Sequence, residues 1–321
     1  MNKIRIFAIL LALLFSAQVF AQGCSDAGFC TMGAMKPDQA YSRKINFKLR
    51  SIEFSQYKGN TTLTPVVYVA NLDVSIGITE KTGFQVKLPY QWTTGNFGQA
   101  AGIGDISLSV THNVHKFKNF EFNATVGMKI PSNKSDLKSQ GRKRPESGGL
   151  VLPMYYQVSL GTYDVIAGAS LINEKWLFAV GYQKSLNANN NTFKWTEWDP
   201  PVYPSESYIR QYDIATKLKR GSDIMFRAER NFRFARYSFN IGMLPIYRIT
   251  HDQIIDKVTK EYVKIDKTTG LALSVLAGFG YNFNINNTIK FTYGKKLMQR
   301  EVNPDGLTRH DVMIVAYLFR F

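Results

Sequence analysis

The feature of this sequence that most constrains its fold is a regular alternation of apolar and polar residues over long runs. In the run Asn119–Ile130, the apolar positions are Phe120, Phe122, Ala124, Val126, Met128 and Ile130. The positions between them are Glu121, Asn123, Thr125, Gly127 and Lys129. Because successive side chains of a strand point to opposite faces, such a run predicts a β-strand with one apolar face.

The length of these runs distinguishes a membrane strand from a soluble one. Runs such as Thr82–Thr93, Gly104–His115 and Leu271–Phe283 exceed the roughly five or six residues that are usual in soluble proteins. They match the roughly 9–11 residues that a tilted strand needs to cross lipid. Since lipid offers no water to satisfy a sheet edge, the sheet must close. The sequence therefore predicts an all-β fold, an antiparallel up-and-down transmembrane β-barrel.

Short and long connections alternate between the runs, as expected when one barrel end carries tight turns and the other carries exposed loops. The barrel is predicted to span residues 45–321 with about 12 strands, and 14 is the alternative. The predicted strands are 45–57, 62–78, 83–93, 104–115, 119–130, 163–172, 176–187, 221–232, 236–250, 271–284, 288–300 and 310–321. Thr94–Ile103 is predicted to be a long loop. Tyr208–Arg220 suits an extra strand, an extracellular extension or a folded-over loop.

The N-terminus carries the pattern of an export signal. Residues 1–21 combine two cations, Lys3 and Arg5, with an apolar stretch and a small-residue cleavage pattern that ends at Ala21. This pattern predicts a signal peptide that is cut before Gln22. Lipid attachment at Cys24 is the alternative.

Export would place Cys24 and Cys30 in an oxidising compartment, where an isolated pair is predicted to form a disulfide. A redox role for the pair is the alternative. The surrounding residues 22–44 do not alternate, so they form either a mobile periplasmic lead or a plug inside the barrel.

The final strand resembles the C-terminal assembly signal of bacterial outer-membrane proteins. Tyr317, Phe319 and Phe321 share one face of this strand, and Phe321 is the last residue of the chain. The resemblance implies the outer membrane of a Gram-negative-type envelope as the location. It also implies the barrel assembly machinery as a partner and outer-membrane lipid and lipopolysaccharide as surroundings. We expect a monomer.

Two motifs carry a resemblance to the outer-membrane family named for the meta-pathway of phenol degradation. Gly102–Ser109 resembles the family's Gly-x-Gly-Asp strand opening, and Leu160–Ser170 resembles its Gly-x-x-Asp-x-x-x-Gly strand. The resemblance covers most of the predicted barrel and implies transport of small, often aromatic, molecules. The chain departs from the family in its Cys24–Cys30 segment and its basic loop Lys134–Arg144. Residues 22–44 also resemble, more remotely, the plugging segment of long-chain fatty-acid transporters.

The sequence favours neither catalysis nor metal binding. His112 and His115 are the most closely spaced histidines, but they would point to opposite sides of a strand and so form no metal pair. We therefore predict no enzyme activity, no metal and no cofactor. The net charge of +16 comes from basic residues scattered along the chain, a distribution that argues against nucleic acid and favours an anionic lipid headgroup or solute.

Charged residues on the polar strand faces define a candidate lumen. They are Lys87, Asp105, Glu121, Lys129, Arg227, Glu229 and Lys290. Inward charges are costly unless they are satisfied, so these residues either pair across a filled lumen or line a wet channel that selects solutes. Trp195 and Trp198 suggest an aromatic cap over the mouth, and an ordinary exposed loop is the alternative.

We predict passive transport of small hydrophobic or amphipathic molecules. The alternative is a structural or surface-interaction barrel with a closed lumen and partner-binding loops.

Overall fold

The computed structural model describes residues 32, 35, 48–61, 65–139, 149–198, 205–256, 258–305 and 309–321 of the 321-residue chain. The predicted signal peptide at 1–21 and the predicted disulfide between Cys24 and Cys30 lie outside the described residues. Within the described ranges, no helix is both long enough and apolar enough to cross a membrane.

Strands dominate the described residues and form one large antiparallel sheet. The strands of this sheet are β1 (Lys48–Thr61), β2 (Val66–Gly77), β3 (Thr82–Gly95), β4 (Gly98–Ile103), β5 (Ile106–Lys116), β6 (Glu121–Ile130), β7 (Asp164–Ile172), β8 (Trp176–Ser185), β9 (Asp223–Phe234), β10 (Tyr237–Arg248), β13 (Gly270–Asn282), β14 (Asn287–Met298) and β15 (Arg309–Arg320). A separate hairpin in one loop consists of β11 (Gln253–Ile255) and β12 (Tyr262–Lys264). The described helical elements are the α-helix α1 (Glu206–Arg210) and the 3-10 turns Met154–Tyr156, Trp195–Glu197 and Asp213–Ala215.

The sheet closes on itself. Strand β1 pairs with the last strand, β15, and the pairing of β2 with β3 joins the remaining edges. Strands β4 and β5 both pair with β3, so they form one wall strand that is interrupted at Gly104 and Asp105. The result is a closed 12-strand antiparallel barrel, which confirms the predicted fold and strand number.

The prediction of a long loop at Thr94–Ile103 is wrong. Strand β3 continues to Gly95, and β4 begins three residues later at Gly98. Gly98 has a φ of +114°, a left-handed conformation that glycine adopts without the steric penalty of a side chain. A tight hairpin therefore replaces the predicted loop.

The segment Tyr208–Arg220 is a folded-over loop, which was one of the three predicted possibilities. It contains part of α1 and the 3-10 turn Asp213–Ala215. Its buried residues Ile209, Tyr212 and Ala215 recur every third position. That spacing keeps side chains on one side of a helical segment, whereas in a strand it would place them on alternating faces.

Burial alternates along the wall strands. In β9, Met225, Arg227 and Glu229 face the lumen and are buried, whereas Phe226 and Phe232 are exposed on the outer wall. Exposed apolar side chains recur in the same way on the neighbouring strands and form an apolar outer band. This band is the surface that a membrane barrel presents to lipid.

The two barrel ends differ in the length of their connections. Short turns join the strands at the end where β1 starts, and they span 78–81, 117–120, 173–175, 235–236 and 283–286. Long loops lie at the other end, and they span 131–163, 186–222, 249–269 and 299–308. In outer-membrane barrels the short-turn end is periplasmic and the long-loop end is extracellular.

Candidate functional site in the barrel lumen

A cavity of about 140 Å³ lies inside the barrel. Inward-facing residues of β1 to β6 form one side of its wall, and residues of β13 to β15 form much of the other. Because the wall contains both charged and aliphatic side chains, the cavity is amphipathic.

A buried charge pair of the cavity wall joins Lys129 and Asp105. Lys129 Nζ lies 3.0 Å from Asp105 Oδ2, and both side chains are nearly inaccessible to solvent. Asp105 sits in the break between β4 and β5, where its Oδ2 also accepts a hydrogen bond from the backbone N–H of Leu160 at 3.1 Å. This carboxylate thus connects the strand break to both a neighbouring strand and an extracellular loop.

Two further groups of charged residues lie on the cavity wall, on β1 and β14 and on β2 and β3. Lys290 Nζ lies 3.8 Å from Glu53 Oε2. Asp73 accepts a hydrogen bond of 2.8 Å from Gln85 Nε2 and lies opposite Lys87 in the pairing of β2 with β3. Glu53 and Asp73 lie opposite each other on β1 and β2, and each has a lysine on its other side, an arrangement that reduces the cost of placing charge inside a barrel.

Arg227 and Glu229 occupy successive inward positions of β9. Arg227 Nη2 lies 2.7 Å from Glu229 Oε2, and both side chains are almost fully buried. Glu121, by contrast, is the first residue of β6 and lies 3.4 Å from Lys116 Nζ at the periplasmic end.

Five of the seven charged residues predicted for the lumen meet in this cavity. Its wall includes Lys87, Asp105, Lys129, Arg227 and Lys290. Glu229 lies beside it as the partner of Arg227, and Glu121 lies away from it at the periplasmic end.

The apolar side of the cavity is built around Tyr57. Its ring packs with Val69, Val312 and Ile314. The ring also crosses Gly59, where an added Cβ atom would lie only 2.5 Å from the Tyr57 hydroxyl oxygen, so a side chain at that position would displace the ring. Among the described residues, the buried Tyr57 hydroxyl has no hydrogen-bond partner. The aliphatic surface therefore carries one unsatisfied hydroxyl.

The extracellular loop 131–163 covers the cavity from above. Gln157–Leu160 form part of the cavity wall. Gln91 Nε2 donates a hydrogen bond of 3.0 Å to the backbone oxygen of Gln157, and the amide of Gln157 donates to the backbone oxygen of Leu152 at 2.8 Å. The bond from Gln91 on β3 fixes this part of the loop against the barrel wall.

Two residues of the N-terminal segment lie inside the lumen. Met32 and Met35 are each 2% exposed and pack against inward residues of five strands, namely Ile166, Leu177, Ala179, Met225, Leu244 and Leu276. Arg227 Nη1 donates a hydrogen bond of 3.4 Å to the backbone oxygen of Met35. An added Cβ atom at Gly127 would lie 3.3 Å from the end of the Met32 side chain, so this inward glycine makes room for the methionine.

An aromatic cluster occupies the extracellular end, with Phe97 at its centre. Phe97 is the tip of the β3–β4 hairpin and makes edge-to-face contacts with Trp198 at 4.8 Å and Tyr212 at 4.9 Å between ring centroids. It also contacts Tyr156 and Phe193. The predicted aromatic cap is thus present for Trp198. Trp195 is instead half-buried, and the Arg210 guanidinium lies 4.2 Å from the centroid of the Trp195 ring.

A buried ion network surrounds Arg248, the last residue of β10. Its guanidinium contacts Asp223 at 2.8 Å, Asp252 at 2.7 Å and Asp305 at 2.9 Å. Arg300 adds contacts of 3.6 Å to Asp223 and 3.8 Å to Asp305. Because Asp252 and Asp305 belong to different loops, the network ties the loops 249–269 and 299–308 to the barrel wall.

The two loop carboxylates of this network have opposite pKa shifts. Burial raises the pKa of Asp252, and the nearby negative charge of Asp305 adds to this increase, although Arg248 opposes it. Burial also acts to raise the pKa of Asp305, but Arg248 and Arg300 outweigh it and hold this pKa well below its usual range. Asp252 is therefore the carboxylate of this pair that takes a proton first.

The sequence prediction did not include this network. Asp223 and Arg248 stand at the extracellular ends of β9 and β10, where the same alternation could have identified them. Asp252 and Asp305 lie in loops and have no periodic signal.

The predicted assembly residues lie at the C-terminal end of β15 and beyond it. Tyr317 and Phe321 are exposed on the outer wall at the periplasmic end, and the rings of Phe319 and Phe321 meet edge to face at 4.7 Å. The strand that carries Tyr317 and Phe319 pairs with β1 and closes the barrel.

The sequence matches no protein-family model and no curated protein, but the fold is similar to solved structures. The crystal structure of the COG4313 outer membrane channel from Pseudomonas putida F1 has a TM-score of 0.59 and 12% identity, and the match covers 89% of this chain and 99% of that chain. The NanC porin has a TM-score of 0.46 and 9% identity, and its match covers 85% of this chain and 100% of that chain.

The CymD monoaromatic hydrocarbon channel has a TM-score of 0.41 and 10% identity, and its match covers 94% of both chains. At these identities the similarity to the COG4313 channel establishes the fold alone, and the two lower scores add nothing to it. The chain therefore has the closed barrel fold of an outer-membrane channel, which is consistent with the outer-membrane location that its final strand predicts.

Proposed function

We propose that this barrel is a narrow passage through which small hydrophobic or amphipathic molecules cross the outer membrane passively. The observation that carries the proposal is the amphipathic cavity of about 140 Å³ inside the barrel. Its aliphatic side around Tyr57 suits an apolar group. The paired charges around Asp105 and Lys129 suit the polar end of an amphipathic molecule.

The residues that fill the lumen support a narrow passage rather than a wide pore. Gln157–Leu160 reach into the cavity from the extracellular side, and Met32 and Met35 are buried inside the lumen against β7 to β10 and β13. We infer that the N-terminal segment acts as a plug that restricts flow. A wide pore filled with water would leave such residues exposed.

Single-channel recording of the purified mature barrel in a planar bilayer tests this proposal. We expect a small, steady conductance, and we expect Lys87→Glu to shift the reversal potential in a salt gradient toward cation selectivity, because Lys87 lines the cavity. Lys175→Glu makes the same change of charge in an exposed periplasmic turn and should leave the reversal potential unchanged.

Two further results decide between this passage and a closed structural barrel. A small aromatic alcohol should reduce the current more than a sugar of similar size, because only the alcohol can occupy the aliphatic side of the cavity. An absence of conductance from barrels whose shifted gel mobility shows that they are folded would overturn the proposal. So would a conductance that Lys87→Glu and Lys175→Glu change equally.

A further inference from the structure

An apolar groove runs across the outer wall of the barrel, on the side away from the closing strands β1 and β15. It has a volume of about 350 Å³ and crosses the strands from β6 to β10. Its outward-facing side chains include Phe122, Leu171, Phe178, Val180, Phe226 and Met243. The groove exists because small residues separate large ones. Ala228 lies directly between Phe178 and Met243 in the strand register.

A cation stands beside this groove on the same outer face. Arg230 is the next outward residue of β9 after Ala228, toward the periplasmic end. Its guanidinium lies 4.8 Å from the ring centroid of Trp176 and 5.4 Å from that of Phe232. Trp176 in turn stacks on Phe178 of the groove, with ring centroids 5.5 Å apart.

Arg230 has no carboxylate partner and no side-chain hydrogen bond among the described residues, and its charge is held only over aromatic rings. An unpaired charge next to apolar surface is costly, so the site favours an anionic ligand. A guanidinium presents a fork of donors that matches the oxygens of a phosphate. Trp176 is the first residue of β8 after a periplasmic turn, so this cation lies near the periplasmic membrane interface, where aromatic girdles of barrels occur.

We propose that this groove and Arg230 form a binding site for a phospholipid of the periplasmic leaflet. The phosphate accepts hydrogen bonds from Arg230, and an acyl chain lies along the groove between Phe178, Phe226 and Met243. The headgroup position at the periplasmic end excludes lipopolysaccharide, whose phosphates lie in the opposite leaflet. The site is on the lipid-facing wall and is independent of the passage through the lumen.

Native mass spectrometry of the mature barrel in detergent, titrated with dioleoyl phosphatidylglycerol, tests the phosphate contact. We expect Arg230→Gln to weaken binding about tenfold or more, because a charge-assisted hydrogen bond is lost. Arg236→Gln removes the same charge from the exposed turn next to β9 and should bind as the wild type does. Equal binding by the wild type and Arg230→Gln would overturn the site, and so would equal losses in both variants.

A second variant and a second probe test the groove. Ala228→Phe should weaken phosphatidylglycerol binding by filling the space between Phe178 and Met243, without changing any charge. Dioleoylglycerol, which has the same acyl chains but no phosphate, should bind weakly and should not distinguish Arg230→Gln from the wild type. If Ala228→Phe binds phosphatidylglycerol normally, the acyl chain does not occupy the groove and the proposal fails. Heat-dependent gel mobility identifies folded protein for each variant.

Discussion

Replacement of Arg248 by methionine is expected to destabilise the barrel more than any exposed arginine replacement. Arg248 is 2% exposed and contacts three carboxylates at 2.7–2.9 Å. The contacts of Arg300 to Asp223 and Asp305 are longer, at 3.6 and 3.8 Å, and do not replace those of Arg248. Removing one partner of a buried ion pair typically costs about 3–5 kcal/mol because the other charge remains uncompensated. We expect a loss of that size in the free energy of unfolding.

Urea unfolding in detergent micelles, followed by tryptophan fluorescence, measures this loss. Arg236→Met is the matched control, because Arg236 is exposed in a periplasmic turn and surface replacements usually change stability by less than about 0.5 kcal/mol. The double variant Arg248→Met/Asp305→Asn should lose less stability than the sum of the two single variants, since one uncompensated charge is gone. A loss below about 1 kcal/mol in Arg248→Met, or additive single effects, would refute this explanation of the network.

Two other predictions concern the extracellular end. Because the folded-state pKa of Asp252 is raised, the contribution of Asp252 to stability is present at low pH and is lost as pH rises through that pKa. In urea unfolding at a series of pH values, Asp252→Asn should therefore gain stability relative to the wild type as pH increases. A stability difference that is constant with pH would contradict this. Phe97→Ala removes the central ring of the aromatic cluster and should loosen the loop that carries the exposed Lys194 and Arg210. Limited proteolysis with trypsin should therefore cleave after these residues faster than in the wild type, whereas Phe234→Ala at the periplasmic end should leave the rate unchanged.

The sequence specifies the barrel wall because each wall strand repeats the same physical requirement many times. In β9, one position after another must be apolar toward lipid or polar toward the lumen, and Phe226, Arg227, Ala228 and Glu229 alternate accordingly. Because the alternation of apolar and polar positions runs over about ten residues of each strand, a single residue that breaks it does not hide the strand. This is why the number of wall strands was predictable although the bounds of β3 and β4 were not.

The loops obey no such repeated rule, so their contacts were not predictable from one sequence. Phe97 packs against Trp198, about one hundred positions away, and only the folded loops bring them together. Gln157 is likewise held in the lumen because its backbone oxygen accepts a hydrogen bond from the side chain of Gln91 on β3. Nothing in the spacing of these residues along the chain indicates a contact.

Arg230 and Glu121 show what alternation alone leaves undetermined. Glu121 has the inward parity of a lumen residue but lies at the end of its strand, where it pairs with Lys116 rather than entering the cavity. Arg230 has the outward parity of a lipid-facing residue although it carries a charge. The place of a residue in the inward-outward alternation gives the face of the wall on which it lies. Its position along the barrel axis decides whether a charge there contacts water, a charged partner or a lipid headgroup. A cation at outward parity near a membrane interface, with an aromatic residue directly opposite on the next strand, is therefore a reason to look for a phosphate.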